Sequence, residues 1–261
     1  MLFRSDLTKA IEYSREAVLT CPCEADDQPL VIGNLAGTLL TRFTQTGNMS
    51  DLTESIELNR NALAMQPPGH PDRPLTLGNL PVALLLRFGE TGKMEDLEEA
   101  IQLFRESLEL FPEGHADRAM ALSNLSSSIL SRFQQLGRIE DSSEGIEILR
   151  QTLLLLPEDH PYRVESLMNL VAALLQRFEL DSSLQALDEA VELGQEALNL
   201  LAAEHSYRGT VMHSYAAALG KRFQVSNHVE DLHKAISLND EVLGLWSSEH
   251  PERCNALKDM A

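Results

Sequence analysis

The chain has 261 residues, 43% of them hydrophobic, and a formal net charge of −19 at pH 7. Such an excess of acid repels phosphate backbones and anionic lipid surfaces, so we expect neither nucleic acid nor a membrane as a partner. Cys21, Cys23 and Cys254 fit neither a disulfide framework nor a zinc spacing. This cysteine usage favours a reduced, cytoplasmic location and predicts no metal.

The first predicted element is a helix from Asp6 to Leu19, with apolar residues three and four apart and Pro22 after its end. The same helix, here called helix B, returns at 45-residue offsets along the chain. It carries a column of small residues: Ala10, Ser55, Ala100, Gly145, Ala190 and Ala235. A branched column follows it: Ile11, Ile56, Ile101, Ile146, Val191 and Ile236. The small column is expected to let another helix approach closely.

Between successive B helices the pattern predicts a second helix, helix A, which runs from about Asp72 to Phe88 in one copy. Glycine follows three of these helices and asparagine a fourth, as is typical of a left-handed C-cap: Gly47, Gly92, Gly137 and Asn227. Ser182 takes this place in the remaining copy, and that turn is expected to be built differently. Pro81 falls inside a helix A, which predicts either a simple kink or a shaped groove.

A loop with the pattern His-x-x-Arg joins each helix B except the first to the next helix A; the first loop has Ala25 and Gln28 at the equivalent positions. Its histidines recur as His70, His115, His160, His205 and His250. Packed helices lie about 8–10 Å apart, so histidines of neighbouring copies are too distant to share a metal ion. We expect each histidine to hold the turn into helix A.

The dipeptide Arg-Phe appears five times at steps of 45 residues. A fixed period of this size predicts an array of stacked repeats. The predicted fold is therefore an all-α, right-handed α-solenoid of helix hairpins in one domain, residues 1–261. It comprises a leading helix B (6–19), five A–B units (27–64, 72–110, 117–156, 161–201 and 206–245) and a truncated helix A (251–261).

The second half of each unit resembles the tetratricopeptide repeat (TPR). In that family helix B carries small residues seven apart and a proline five residues later, as at Ala100, Ser107 and Pro112. The longer period resembles the extended, kinesin-light-chain-like type, and more closely the arrays of fungal proteins that also carry a caspase-like CHAT domain. The resemblance implies a non-enzymatic protein-interaction module without a cofactor. No sequence motif for a catalytic nucleophile, P-loop or dinucleotide site is present.

Three columns of residues are candidates for partner binding. Within each helix A they stand four residues apart, which places them on one face of the helix. The first holds Asn34, Asn79, Asn124 and Asn169, with Ser214 in the fifth copy, and the third holds Arg42, Arg87, Arg132, Arg177 and Arg222. The second holds the small residues Thr38, Ala83, Ser128, Ala173 and Ala218 and is expected to leave room for a ligand backbone. The resemblance implies that such asparagines line a concave groove and bind the backbone of a protein or peptide ligand. Members that clamp a C-terminal carboxylate also need a basic residue four places earlier, where this chain has Leu30, Leu75, Met120, Glu165 and Thr210. The alternative is structural: the asparagines bind neighbouring backbone and the arginines pair with acids of the next helix B, such as Asp51 or Asp96.

Two function classes stay open at this point. Free arginines on the groove would favour a polar, partly acidic segment of a partner protein. The alternative is self-assembly, because the array begins and stops partway through a unit and would expose core columns at Ile11 and Leu257.

Overall fold

A computed structural model describes residues 2–20, 27–115, 117–247 and 249–259, with side chains from residue 6 to residue 258 of these ranges. Within these residues the chain forms twelve α-helices and no strand. They are α1 Leu2–Thr20, α2 Gln28–Thr46, α3 Met49–Met65, α4 Arg73–Thr91, α5 Met94–Leu110, α6 Arg118–Leu136, α7 Ile139–Leu155, α8 Arg163–Asp181, α9 Leu184–Asn199, α10 Arg208–Ser226, α11 Val229–Leu245 and α12 Arg253–Asp259. The even-numbered helices are the predicted helices A and the odd-numbered ones the helices B.

Helices A pack against the helices B that follow them, α2 on α3, α4 on α5, α8 on α9 and α10 on α11, so the chain forms successive helix hairpins. It divides into two compact units, residues 1–128 and 129–261, with the boundary inside α6. In the first unit α1 packs on α2 and α3 on α4; in the second α7 packs on α8 and α9 on α10. The all-α hairpin fold predicted from the sequence is confirmed, while the right-handed winding and the single domain stay predictions.

Apolar side chains three and four residues apart form the interior of each hairpin stack. In the first unit Ile11 of α1 is 1% exposed and packs with Leu35 and Leu39 of α2. The expectation that Ile11 is an exposed core residue is therefore wrong, because α2 already covers that face of α1. At the other end of the chain Leu257 is exposed, as expected.

The small column of helix B lies where a neighbouring helix A comes close. Ser55, Ala100 and Ala190 are fully buried. At Gly145 of α7 a β-carbon would lie 2.7 Å from Cδ2 of Leu130 in α6, closer than packed atoms tolerate. The close helix approach predicted from this column is thus present at Gly145.

Every helix A from α2 to α10 whose C-cap the structure describes ends in the left-handed conformation. The residue after the helix donates its backbone N–H to the carbonyl of a phenylalanine four residues earlier, as from Gly47 to Phe43 at 2.7 Å and from Gly92 to Phe88 at 2.7 Å. Ser182 adopts the same conformation, with φ 55° and ψ 31°. The expectation of a different turn at Ser182 is wrong, because its N–H makes the same bond, to Phe178 at 2.8 Å.

Pro81 is buried inside α4, which runs as one helix from Arg73 to Thr91. The proline has no N–H to donate to the carbonyl four residues earlier, so one hydrogen bond of the helix is missing there. The helix is not divided by this loss.

Across the described parts of the chain, we find no helix with both the length and the apolar character that crossing a bilayer requires. Cys254 is exposed and forms no disulfide bond with a residue that the structure describes. Cys21 and Cys23 lie outside the described residues.

The left-handed turn at Ser182 generates a stability prediction. Ser182→Gly should raise the free energy of unfolding by about 1 kcal/mol, because a left-handed conformation costs a residue with a β-carbon about that much. The Ser182 side chain is exposed, so little packing is lost. Urea denaturation followed by circular dichroism measures the change.

The reverse substitution Gly92→Ser is the matched control. Gly92 has φ 68°, and no atom lies within 4 Å of the position that a β-carbon would take there, so any loss of stability is conformational. A stabilising Gly92→Ser, or a destabilising Ser182→Gly, would contradict the explanation.

Candidate partner-binding surface

The arginine column of helix A turns toward helix B of the same hairpin. Arg87 near the end of α4 binds both carboxylate oxygens of Asp96 in the first turn of α5, at 2.8 and 2.6 Å. The same two-pronged pair, with partners nine residues apart, joins Arg42 to Asp51, Arg132 to Asp141 and Arg222 to Asp231. These are the contacts that the structural alternative named for Arg42 and Arg87.

The aspartates of these pairs are almost completely buried, at 3–6% exposure. Their hydrogen bonds raise the pKa of Arg42 and Arg87, and in return the bonds from Arg222 lower the pKa of Asp231. A buried carboxylate without a partner is strongly destabilising, so each pair fixes the corner of its hairpin. In these four repeats the guanidinium group of the arginine is therefore already bound to an aspartate of the same chain.

Arg177 is the exception, because Ala186 stands where the other repeats have the aspartate. Its Nε donates instead to Asp181 of its own helix at 2.5 Å, and its Nη1 donates to Ser143 of α7 at 2.7 Å. The equivalent Arg222 likewise reaches back 34 residues with Nη1, to Asp188, but also holds Asp231. Arg177 thus keeps the backward contact and lacks the forward pair.

The histidines of the loop lie each in a separate turn. Nδ1 of His70 accepts a hydrogen bond from the backbone N–H of Asp72 at 3.2 Å, and His115, His160, His205 and His250 make the equivalent bond two residues ahead. In two loops the ring also stacks on the residue that follows helix B, His115 on Phe111 and His250 on Trp246. The histidines therefore act in the turn into helix A, as expected. No group of His, Cys, Asp or Glu residues suited to holding a metal ion is found in the described part of the chain.

The arginine of the same loop has a role that the sequence analysis missed. Nη1 of Arg163 donates to the carbonyls of Leu153 and Leu156, at 3.1 and 2.6 Å, and so caps the C-terminus of α7. Arg73, Arg118, Arg208 and Arg253 bind the equivalent two carbonyls of the helix before them. These carbonyls have no partner inside the helix, and a cation there also matches the helix dipole. The recurrence of arginine in each His-x-x-Arg loop was the sequence signal that could have indicated this capping role.

The asparagine column remains on the surface. Asn34 is exposed, and Asn79, Asn124 and Asn169 are half-buried. No hydrogen bond joins these four side-chain amides to any residue that the structure describes, so the bonds to neighbouring backbone that the structural alternative required are not seen there. Each amide keeps its donors and its acceptor available to a ligand.

The small column behaves differently from the expectation that it leaves room for a ligand. Ala83, Ser128, Ala173 and Ala218 are at most 2% exposed. The hydroxyl of Ser128 donates to the carbonyl of Asn124 in its own helix, and Thr38 does the same to Asn34. The small residues pack inside the protein, so that expectation is wrong.

A row of exposed apolar residues stands one helical turn before the asparagines. Leu30, Leu75 and Met120 are 38, 53 and 50% exposed, on α2, α4 and α6. All three belong to the first unit, and Glu165 and Thr210 take their place in the second. We call Asn34, Asn79 and Asn124 together with this apolar row the asparagine face. A sequence signal for this row was available. Leu75 stands two positions before the buried Leu77, and residues two apart do not lie on the same face of a helix.

In the second unit the same part of helix A borders a cavity. It has a volume of about 350 Å³ and is lined by Glu165 and Asn169 of α8 together with Leu201, His205 and Tyr207 of the loop between α9 and α10. Burial raises the pKa of the Tyr207 hydroxyl. This is the size at which small-ligand pockets begin, about 300 Å³.

The buried Arg222–Asp231 pair generates a pH prediction. Because the folded pKa of Asp231 is lowered below the value of about 3.9 in an unfolded chain, the pair contributes its full stability above about pH 4 and loses it as the pH falls further. Asp231→Asn should therefore be less stable than the natural chain at pH 5–7, and the difference should shrink toward pH 3. Urea denaturation at a series of pH values measures it.

Asp240→Asn, which removes the same charge from an exposed position of the same helix, is the control. A difference between Asp231→Asn and the natural chain that does not change with pH would contradict the assignment.

Comparisons with known proteins agree with this geometry. A family model described as tetratricopeptide repeat matches residues 163–207, which include α8 and α9. No curated protein matches the chain by sequence. Among solved structures, a putative kinesin light chain of Podosopora anserina with nearly identical TPR-like repeats is 21% identical, with a TM-score of 0.59, over 84% of this chain and 98% of its own.

Two further solved structures show the same fold. BtubC (BKLC) from P. vanneervenii is 17% identical, with a TM-score of 0.58, over 95% of this chain and 92% of its own. YrrB, described as a TPR protein with an unusual peptide-binding site, is 15% identical, with a TM-score of 0.54, over 97% of each chain. Residues 163–207 are therefore similar to a tetratricopeptide repeat, and the chain shares the helix-hairpin fold of these solved structures.

Proposed function

We propose that this protein is a non-enzymatic scaffold for protein–protein interaction that binds a segment of a partner on its helices A. The observation that carries the proposal is the row of available amides at Asn34, Asn79 and Asn124, beside the exposed Leu30, Leu75 and Met120. Asn169 is the equivalent asparagine of the second unit and lines a cavity there. The TPR match supports an interaction role, and one structure of the same fold is described as having a peptide-binding site.

The chemistry of this face decides what segment it would take. An amide can donate to and accept from the backbone of an extended peptide, which fixes the position of the peptide without selecting its sequence. Exposed leucine and methionine side chains next to the amides provide apolar contact area, and burial of apolar surface is the dominant favourable term in most protein–protein association. We therefore propose that the segment carries apolar side chains at intervals.

The arginines enter this proposal in a different role from the asparagines. Arg42, Arg87 and Arg132 each donate two hydrogen bonds to a buried aspartate. Binding a ligand carboxylate in the same way would require that pair to break. We propose that they hold the hairpins in register behind the asparagine face. The partner segment proposed here is therefore apolar at intervals, and not the partly acidic segment expected for free arginines.

The test is the double variant Asn79→Ala/Asn124→Ala. Both amides lack a partner among the described residues, so its unfolding free energy should stay within about 1 kcal/mol of the natural chain. Random twelve-residue peptides would be selected for binding to the natural protein, and their affinities for both proteins measured by fluorescence polarisation. We expect binding to the double variant to be at least about tenfold weaker, which corresponds to about 1.4 kcal/mol.

Asn61→Ala, on the exposed surface of helix α3, is the matched control and should bind the selected peptides normally. Leu75→Ser should weaken them independently of the amides. A large drop in the melting temperature of the double variant would show that the asparagines hold the repeats together, and unchanged affinity would remove them from the binding face.

Self-association is the second candidate function. The exposed Leu257 on α12 favours it, whereas Ile11 does not, since it is buried against Leu35 and Leu39 of α2. Self-association through Leu257 predicts a molecular mass that rises with protein concentration and a Leu257→Ser variant that stays at one mass. Light scattering across a concentration series measures both, with Leu245→Ser, a similarly exposed leucine of α11, as the control.

The wider setting of the molecule also remains a proposal. We infer from the sequence resemblance that the array acts as the sensing arm of a larger cytoplasmic protein, of the kind that carries a CHAT domain. Nucleic acid and membranes are not among the proposed partners, because of the net charge of −19.

A further inference from the structure

One repeat departs from the others at the corner of its hairpin. Helices α3, α5, α7 and α11 each place an aspartate in their first turn, as Asp51, Asp96, Asp141 and Asp231. Helix α9 has no acidic residue in its first turn, and Ala186 is buried at the equivalent position. The carboxylate that the other arginines receive from their own hairpin is therefore absent at Arg177.

A cavity of about 310 Å³ lies at this place. It is lined by Ser143 and Arg150 of α7, Arg177 of α8, Ala186 and Glu189 of α9, and Asp181 at the end of α8. Arg150 is engaged with Glu189 at 2.6 Å, which leaves Arg177 as the cation whose usual partner is missing. The volume is larger than one carboxylate group needs, so a longer acidic side chain fits as well.

The donors of Arg177 are only partly used. Nη1 binds Ser143 and Nε binds Asp181, whereas Nη2 makes no hydrogen bond to any residue that the structure describes. Asp181 is a substitute from the same helix with 39% of its side chain exposed, not a buried partner from helix B. An Arg fork gains most from two parallel bonds to one carboxylate, a geometry that Asp181 does not provide.

We propose that the cavity between α7, α8 and α9 is a carboxylate-binding site, in which Arg177 receives from a ligand the carboxylate that an aspartate of the chain supplies in the other repeats. The first turn of α9 favours the same charge, because a helix N-terminus carries partial positive charge and here has no acidic residue of its own. The site goes beyond the proposed function, since it uses none of the residues of the asparagine face. Its ligand is either an acidic side chain of a bound peptide or a free carboxylate.

Two probes distinguish these sources: the capped pentapeptide Gly-Gly-Glu-Gly-Gly and acetate, with the Gln pentapeptide and acetamide as neutral counterparts. Each is titrated into the full chain at constant ionic strength, while NMR follows the Arg177 side-chain N–H and the backbone amides around Ser183 and Ala186. Saturable shifts with the Glu peptide or acetate, and none with the neutral counterparts, are expected. Tighter binding of the peptide assigns an acidic side chain as ligand, and tighter binding of acetate assigns a free carboxylate.

Ala186→Asp restores the residue of the other repeats and should both abolish these shifts and raise the melting temperature. Leu184→Asp adds the same charge to the same helical turn at an exposed position; it should leave the shifts in place and raise the melting temperature less, by the helix-dipole contribution alone. Arg177→Gln should abolish binding. Asp181→Asn, which removes the competing acid from an exposed position, should tighten binding at least severalfold and remains informative if Arg177→Gln fails to fold.

The proposal is overturned if neither carboxylate produces saturable shifts at these amides. It is equally overturned if the shifts persist unchanged in Ala186→Asp. Neither result would depend on whether peptides bind the asparagine face, which is tested by different residues.

Discussion

In every described hairpin except α8–α9, the corner depends on an ion pair between the last turns of helix A and the first turn of helix B. Its two members stand nine residues apart, on either side of a left-handed residue that reverses the chain. The turn brings the two helix ends together, and the pair then fixes the angle at which they leave the corner. Since the aspartate is buried, it is satisfied only when the arginine is in place, which makes the corner specific as well as stable.

The opposite end of helix B is fixed by a second arginine with a different chemistry. Arg73 and its four equivalents bind two carbonyls at the end of the preceding helix, while the nearby histidine accepts from the backbone at the start of the next one. At the protein surface, Arg15–Glu54, Arg60–Glu99 and Arg150–Glu189 join consecutive B helices. Exposed pairs of this kind contribute little individually, so the buried corner and the capped loop determine the repeat geometry.

A repeated structure makes departures from the repeat informative, because every other copy serves as a control. At Ser182 the local backbone is unchanged although the residue is unfavourable there, so that departure affects stability alone. At Ala186 the aspartate that would pair with the half-buried Arg177 is missing and a cavity lies beside the arginine, so that departure is the basis of the proposed carboxylate site. Both departures lie at the corner between α8 and α9. The Ser183 hydroxyl caps the N-terminus of α9 there.

The sequence by itself determined the helices, the hairpins and the positions of the turns, because these follow from local rules: apolar spacing, left-handed glycines such as Gly92 and the recurring loop histidines. It also marked Asn79 and Arg87 as members of one helix face, but it left open which of them meets solvent. Only the tertiary structure decided that the guanidinium of Arg87 turns to Asp96 across the corner, that Ala83 is buried and that Leu75 is exposed. The physical reason is that a side chain's partners depend on which neighbouring helix covers it, and residue spacing within one helix contains no information about the position of the next.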